Sequence, residues 1–180
     1  MNDSGIYKIR PAGRLLISIG RDLIRNVHSA LLELVKNAYD ADASWVKIQI
    51  GANQAKKSVK IVVIDDGHGM TMDTVINKWM VPATDDKKGR KRSPKGRIMQ
   101  GRKGVGRFAS AVLGNDLFLE TINAGFKSSV YLEWDRFERA QYLEDVDVLV
   151  ESEKTGKEDG TQLTGVYPFF ERERTFHPDK

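Results

Sequence analysis

Three short segments of the chain carry side chains whose types and spacing could do chemistry. The first is ELVKNAYDADA, residues 33–43, in which Glu33, Asn37 and Asp40 stand at i, i+4 and i+7. On a helix these positions share one face. A carboxylate there can take a proton from water, and an amide oxygen one turn on can complete a Mg²⁺ shell. Taken alone, the same stripe also fits the solvated face of an amphipathic helix.

The second segment is IDDGHGM, residues 64–70, where two carboxylates are followed by Gly67 and Gly69. Glycines after a strand let the backbone approach a planar ligand closely. A buried Asp can accept a hydrogen bond from an exocyclic amine, and Met70 can pack on the face of a ring. A tight turn at Asp-Gly is the alternative interpretation of this segment.

The third segment is GRKGVGRFAS, residues 101–110. Its glycines precede a predicted helix start, so free backbone N–H groups and a helix N-terminus would bind phosphate. Lys103 and Arg107 add positive charge. A dinucleotide-binding motif is excluded because a basic loop, not a strand, precedes the glycines. A P-loop is excluded because Arg102-Lys103 stands where Lys-Ser/Thr is required.

Helices and strands that must position these segments follow from hydrophobic periodicity. Leu31, Leu34, Val35 and Ala38 form an apolar helical stripe, and Asn123-Ala124-Gly125 is typical of a hairpin turn. The pattern predicts helices over 22–43, 72–80 and 105–113, and strands over 45–50, 60–65, 116–122, 126–134, 145–151 and 161–167. We therefore expect an α+β fold, a two-layer α/β sandwich with helices on one face of a mixed, mostly antiparallel sheet.

Composition limits the classes of protein that remain. The 180 residues include no cysteine and three histidines, which excludes disulfides, a thiolate nucleophile and sulfur-ligated zinc. No apolar run approaches the roughly 18 residues of a membrane helix, so a reduced, cytoplasmic setting is expected. Nine basic residues and no acidic residue lie between Lys87 and Lys103. Such a block predicts a mobile loop that attracts phosphates.

The order of these segments resembles the ATPase superfamily of DNA gyrase, the large heat-shock chaperones, histidine kinases and MutL, which share the Bergerat ATP-binding fold. The resemblance spans residues 23–165 and is greatest to bacterial chaperone-like and MORC-like proteins. It implies an N-terminal arm over 1–22, an ATPase domain over 23–167 with a basic ATP lid at about 84–103, and the start of a linker over 168–180.

The resemblance also implies a role for individual residues. Glu33 matches the general base, and Asn37 matches the Mg²⁺ ligand. Asp65, rather than Asp66, matches the adenine-recognising carboxylate, which Thr161 supports. The remaining nucleotide contacts that it implies are Asp40, Ala41, Gly67, Gly69, Met70, Thr84, Gly101, Lys103, Gly104, Val105, Gly106, Arg107 and Phe108.

The function that the resemblance implies is Mg²⁺-dependent binding and hydrolysis of ATP. Lid closure would couple to homodimerisation within a longer protein, and hydrolysis by this chain alone would be slow. DNA is a further expected partner, through the basic residues. One alternative is a histidine-kinase catalytic domain, although Glu33 suits water activation and His28 lacks a phosphoacceptor context. Another is a nucleotide-regulated nucleic-acid-binding module with little turnover, although the basic stretch lacks aromatic residues for stacking.

Overall fold

The computed structural model describes residues 8–23, 26–81, 91–101 and 110–168. Four α-helices lie in these parts of the chain: α1 (Leu15–Leu23), α2 (Val27–Asp40), α3 (Met72–Thr74) and α4 (Trp134–Arg139). Helix α3 continues as a π-helical turn, Val75–Trp79. The strands are β1 (Val46–Asn53), β2 (Ser58–Asp65), β3 (Asp116–Asn123), β4 (Phe126–Glu133), β5 (Val150–Lys154) and β6 (Gly160–Pro168).

These strands form one sheet in the order β1-β2-β6-β3-β4-β5, and every described pairing is antiparallel. The predicted β3–β4 hairpin is confirmed. Its two turn residues, Ala124 and Gly125, have φ values of 50° and 78°. Positive φ at both central residues is the twist that a two-residue hairpin requires.

One face of the sheet carries the core, because side chains alternate between faces along each strand. On β3, Leu117 and Leu119 are buried while Phe118 between them is exposed. Helix α1 contributes Leu16 and Ile17 to the same core cluster, with Ala30 and Leu34 from α2. The predicted two-layer α/β sandwich is therefore confirmed, with a sheet that is antiparallel in all its described pairings.

The structure differs from the predicted elements in several places. Helices α1 and α4 are not predicted from the sequence, and α2 begins only at Val27, where Asn26 caps it by accepting from the Ser29 N–H at 2.9 Å. The strand predicted over 145–151 begins at 150. Val146 and Val148 pack against the core without pairing as a strand, so their alternation reflects burial rather than sheet hydrogen bonds.

No helix in the described ranges is both long enough and apolar enough to cross a membrane.

Candidate functional site

The C-terminal end of α2 is shaped by a tight helix stop. Asp42 adopts φ 62°, the Asp42 N–H donates to the Tyr39 carbonyl and the Ala43 N–H donates to the Ala38 carbonyl. This pair of bonds is the Schellman motif. Asp tolerates the left-handed conformation better than most non-glycine residues, so the second Asp of the DAD sequence is suited to end the helix.

The IDDGHGM segment lies directly against this helix end. The Ala41 carbonyl accepts a hydrogen bond from the His68 N–H at 2.9 Å. A Cβ at Gly67 would lie 2.8 Å from the Ala41 Cβ, so only glycine allows the contact. Gly69 has φ 62°, and a Cβ there would lie 1.9 Å from the Ile122 carbonyl oxygen. Both glycines are therefore required by close backbone approach, as their spacing predicts.

The two carboxylates of this segment have different surroundings. Asp66 accepts from the Ser44 hydroxyl and from the N–H groups of Ser44 (2.7 Å) and Trp45 (2.9 Å). These bonds fix the backbone where the chain enters β1, and they lower the pKa of Asp66. Asp65 instead accepts from the Gly67 N–H at 2.9 Å. Asp66 is thus engaged in the fold, which leaves Asp65 as the better candidate for contacting a ligand.

Burial raises the pKa of Asp65 above its ordinary value, and the charge of Asp66 acts in the same direction. The hydrogen bond from Gly67 and the charge of His68 oppose that rise without cancelling it. A half-buried carboxylate with a raised pKa is typical of a binding or catalytic position.

A row of hydroxyl groups crosses the sheet beside Asp65. Asp65 pairs with Thr161 in the β2–β6 register, and Thr161 pairs with Thr121 in the β3–β6 register. The two threonine hydroxyls lie 3.1 Å apart, and Thr121 Oγ1 accepts from the Met70 N–H at 2.8 Å. Thr161 therefore lies beside Asp65 as the resemblance implies, while its described hydroxyl contact is with Thr121.

The first residue of the third segment, Gly101, is also bound to the end of α2. The buried carboxylate of Asp40 accepts from the N–H groups of Gln100 at 2.7 Å and Gly101 at 3.0 Å. Asp40 therefore positions the start of the glycine-rich segment. Asp40 and Ala41 therefore link the first segment to the second and to Gly101 of the third, although at least twenty residues separate each segment from the next along the chain.

Asp42 anchors the basic segment that precedes Gly101. Its carboxylate accepts from Ser93 Oγ at 2.5 Å and from the Lys95 N–H at 2.9 Å, and it lies 3.9 Å from Arg97 Nε. Burial by itself would raise the pKa of Asp42, but the contacts with Ser93, Lys95 and Arg97 outweigh it and lower the pKa.

The basic segment is therefore less free than its charge predicts. Arg97 also donates from Nη1 to the Ala43 carbonyl at 2.7 Å, and an isolated bridge pairs Arg92 with Ile98. The sequence predicts a mobile loop over the whole basic stretch. Residues 91–101 nevertheless make specific contacts with acceptors at the end of α2, which the sequence does not predict.

The Asp42 contacts give a testable pH dependence. The pKa of Asp42 is lower in the folded chain than its ordinary value of about 3.9. The charge of Asp42 therefore stabilises the fold fully at pH values above about 3.9. The effect is lost as the pH falls through the folded pKa. Asp42→Asn keeps the tolerance for positive φ but removes the charge, so we expect a melting temperature lower by several degrees at pH 7.

Thermal melts between pH 7 and pH 3 test this expectation, with Asp147→Asn at an exposed position as the matched control. The gap between wild type and Asp42→Asn should narrow as the pH falls, while Asp147→Asn should follow wild type throughout. A gap that stays constant with pH would show that the Asp42 charge does not stabilise the fold.

Glu33 and Asn37 lie in the middle of α2, each partly exposed. Glu33 Oε1 accepts from Lys36 Nζ at 2.8 Å, an ion pair one turn along the helix. Within residues 8–23, 26–81, 91–101 and 110–168, no cluster of three or more His, Asp or Glu could hold a metal.

Several predicted contacts lie outside the described residues: Thr84, Lys103, Gly104, Val105, Gly106, Arg107 and Phe108. Sequence reasoning in turn missed the positioning residues Thr121, Asp42 and Ser93. The role of Asp42 was predictable from Asp40-Ala41-Asp42 at the end of α2, because Asp side chains at turns tolerate the left-handed conformation and accept from nearby backbone N–H groups. Thr121 gave no signal, since it is one of several threonines in predicted strands.

The chain is similar to a known family and to known proteins. A family profile described as "Histidine kinase-, DNA gyrase B-, and HSP90-like ATPase" matches residues 25–161. A putative type II restriction enzyme, HgiDII, of Herpetosiphon aurantiacus is 31% identical over 115 residues, 64% of this chain and 18% of that protein. MORC family CW-type zinc finger protein 3 of Mus musculus is 32% identical over 111 residues, 58% of this chain and 11% of that protein.

This chain therefore spans less than a fifth of the length of either relative. Because the family profile covers more than half of the chain, the chain belongs to the family of histidine kinase-, DNA gyrase B- and HSP90-like ATPases.

Proposed function

We propose that this chain is a Mg²⁺-dependent ATPase module whose nucleotide site lies at the C-terminal end of α2. One observation carries the proposal: Ala41 binds the IDDGHGM segment and Asp40 binds the first glycine of the glycine-rich segment. A nucleotide at this place would lie between a carboxylate suited to its base and the glycine-rich segment that we propose binds its phosphates, which are the two ends of one ligand.

Adenine recognition is assigned to Asp65. A carboxylate accepts the exocyclic amine, and the two glycines keep side chains away from the plane of the base. Met70 is assigned to the face of the base, which is supported by its partial burial and by the bond from its N–H to Thr121, next to Thr161 and Asp65. The hydroxyl groups of Thr121 and Thr161 bond to each other beside Asp65, so they add polar groups to the site without adding a charge.

Hydrolysis is assigned to Glu33, with Asn37 as the protein ligand of the magnesium ion. The bound ion supplies charge neutralisation for the transferring phosphoryl group. Glu33 holds the attacking water and takes its proton. In the structure Glu33 is paired with Lys36, so Glu33 must exchange that partner for water before it can act.

The module would act as a nucleotide-gated dimerisation switch of a longer protein. Support comes from the two relatives, which are both several times longer than the matched region. The name of one relative is that of a restriction enzyme, so DNA is the partner that we propose for the longer protein. The anchored basic segment supplies exposed charge for either phosphates or DNA, through Lys91, Arg92 and Lys95.

Calorimetric titration with ADP and with a non-hydrolysable ATP analogue, with and without Mg²⁺, tests the proposal. We expect saturable binding of the ATP analogue that weakens at least tenfold when Mg²⁺ is chelated. The matched titrant is the same analogue with guanine in place of adenine, which should bind weakly because Asp65 would face a carbonyl oxygen. The proposal would be contradicted if millimolar ligand produced no binding heat and no rise in the melting temperature of the chain.

A further inference from the structure

The IDDGHGM segment runs along the last residues of β3, although β6 separates β2 from β3 in the sheet. The Met70 N–H donates to Thr121 Oγ1 at 2.8 Å. One residue earlier in the segment, Gly69 lies against the next residue of β3, because a Cβ on Gly69 would collide with the Ile122 carbonyl. The segment passes the start of β6 at Gly160, where a Cβ would lie 2.5 Å from the last carbonyl oxygen of β2.

Asn123, the last residue of β3, makes the third contact in this row. Its Nδ2 donates to the His68 carbonyl at 2.7 Å. The His68 N–H donates to the Ala41 carbonyl, so the backbone of His68 is held from the end of α2 and from β3. Gly67 directly precedes His68, and its N–H donates to the Asp65 carboxylate. Holding His68 therefore also holds the N–H that orients Asp65.

The geometry of the hairpin turn does not explain an asparagine at position 123. Asparagine is favoured in two-residue hairpin turns because it tolerates positive φ. In this hairpin the positive φ values fall on Ala124 and Gly125, while Asn123 pairs with Phe126 as the last residue of β3. Alanine thus occupies the position that asparagine suits. The hydrogen bond to His68 is the contact that uses the amide of Asn123.

We propose that Asn123 is a positioning residue for adenine recognition, which holds the IDDGHGM segment in the conformation in which Asp65 accepts from the base. This inference rests on the proposed nucleotide site. Asn123 acts through His68 and Gly67 rather than through a contact with the base. Without its bond, a nucleotide must order the segment on binding, and the affinity falls with the fraction of free chain that is already ordered.

Asn123→Ala should weaken the binding of ADP in the presence of Mg²⁺ by about three- to tenfold, the size of one neutral hydrogen bond. Asn123→Asp keeps the size of the side chain but cannot donate, so it should weaken ADP at least as much. Asn53→Ala is the matched control. Asn53 also ends a strand before a turn, and its side chain accepts from the Lys56 N–H at 2.9 Å. This control should stay within about twofold of wild type in calorimetric titrations.

A double-mutant cycle with Asp65→Asn separates positioning from a general loss of stability. If Asn123 acts through the Asp65 carboxylate, Asn123→Ala should weaken ADP by less than twofold when residue 65 is already asparagine. A general weakening of the fold would lower the affinity by the same factor in both backgrounds.

Hydrogen exchange of the free chain gives a measurement that needs no ligand. The His68 amide should exchange at least threefold faster in Asn123→Ala, because one of the two bonds that hold this residue is lost. The amide of Trp134, which donates to the Asn115 carbonyl at the other end of β4, should keep its wild-type rate.

The positioning role would be overturned if wild type binds ADP and Asn123→Ala binds it equally well, and the nucleotide site would then still stand. Equal losses in both backgrounds of the cycle, or an unchanged exchange rate at His68, would also exclude it. Failure of the wild-type chain to bind ADP would instead contradict the proposed function, and the role of Asn123 with it.

Discussion

Glu33→Gln is expected to retain binding of Mg²⁺-ATP and to lower single-turnover hydrolysis by about 10²- to 10⁴-fold, the usual contribution of a general base. Glutamine keeps the size and the helix preference of glutamate but cannot take the proton from water. The fold should be almost unaffected, because the ion pair with Lys36 is partly exposed and such pairs contribute only about 0.5 kcal/mol. Rapid-quench measurement with enzyme in excess detects even slow turnover.

Lys36→Met is the matched control for Glu33→Gln. It breaks the same ion pair and leaves the carboxylate in place, so turnover should be retained or increased. If Lys36→Met loses as much activity as Glu33→Gln, the pair itself, rather than a base at Glu33, supports the reaction. If Glu33→Gln loses nucleotide binding, Glu33 has a structural role at the site.

Asp65→Asn is expected to weaken the binding of adenine nucleotides by about 10- to 150-fold, because a hydrogen bond to a charged group is worth about 1.5–3 kcal/mol. The melting temperature of the free chain should stay the same or rise. The sign follows from the raised pKa of Asp65: a carboxylate that is harder to ionise in the folded state lowers stability at neutral pH. Removing the charge removes that penalty.

The neighbouring Asp66→Asn should show the opposite pattern. The hydrogen bonds from Ser44 and Trp45 lower the pKa of Asp66, so its charge stabilises the fold at neutral pH. Its melting temperature should fall, while its affinity for nucleotide stays near wild type at temperatures where it is folded. Melts and titrations of the two variants, run side by side, separate the roles. Loss of affinity in Asp66→Asn alone would reverse the assignment.

Nucleotide affinity should also depend on pH through Asp65. The adenine amine donates to the ionised carboxylate, so protonation removes the acceptor. Because burial raises the pKa of Asp65, the affinity should begin to fall at a higher pH than an exposed aspartate would cause. Titrations of ADP from pH 7.5 to pH 4.5 test this, with Asp65→Asn expected to show no such fall.

The elements with strong local signals were predictable from the sequence. The β2 run of branched residues, the Ala124-Gly125 turn and the apolar stripe of α2 each carry their periodicity within a few residues. Helix α1 carries an apolar stripe, LLISI, that the prediction missed, whereas α4 has only six residues and no repeat to detect. Both helices are short, and their stability comes from burying Leu16 and Ile17, or Trp134 and Phe137, in the shared core.

The sequence by itself determined the residue types of the candidate site, because the glycines and carboxylates are informative at fixed spacing. The resemblance favours Asp65 over Asp66, but only the tertiary structure shows which carboxylates hold the fold together. Asp66, Asp40 and Asp42 each bind backbone N–H groups of neighbouring segments. A carboxylate is occupied within the fold when folding brings backbone N–H donors from distant segments next to it. That proximity depends on tertiary packing and cannot be read from the local sequence.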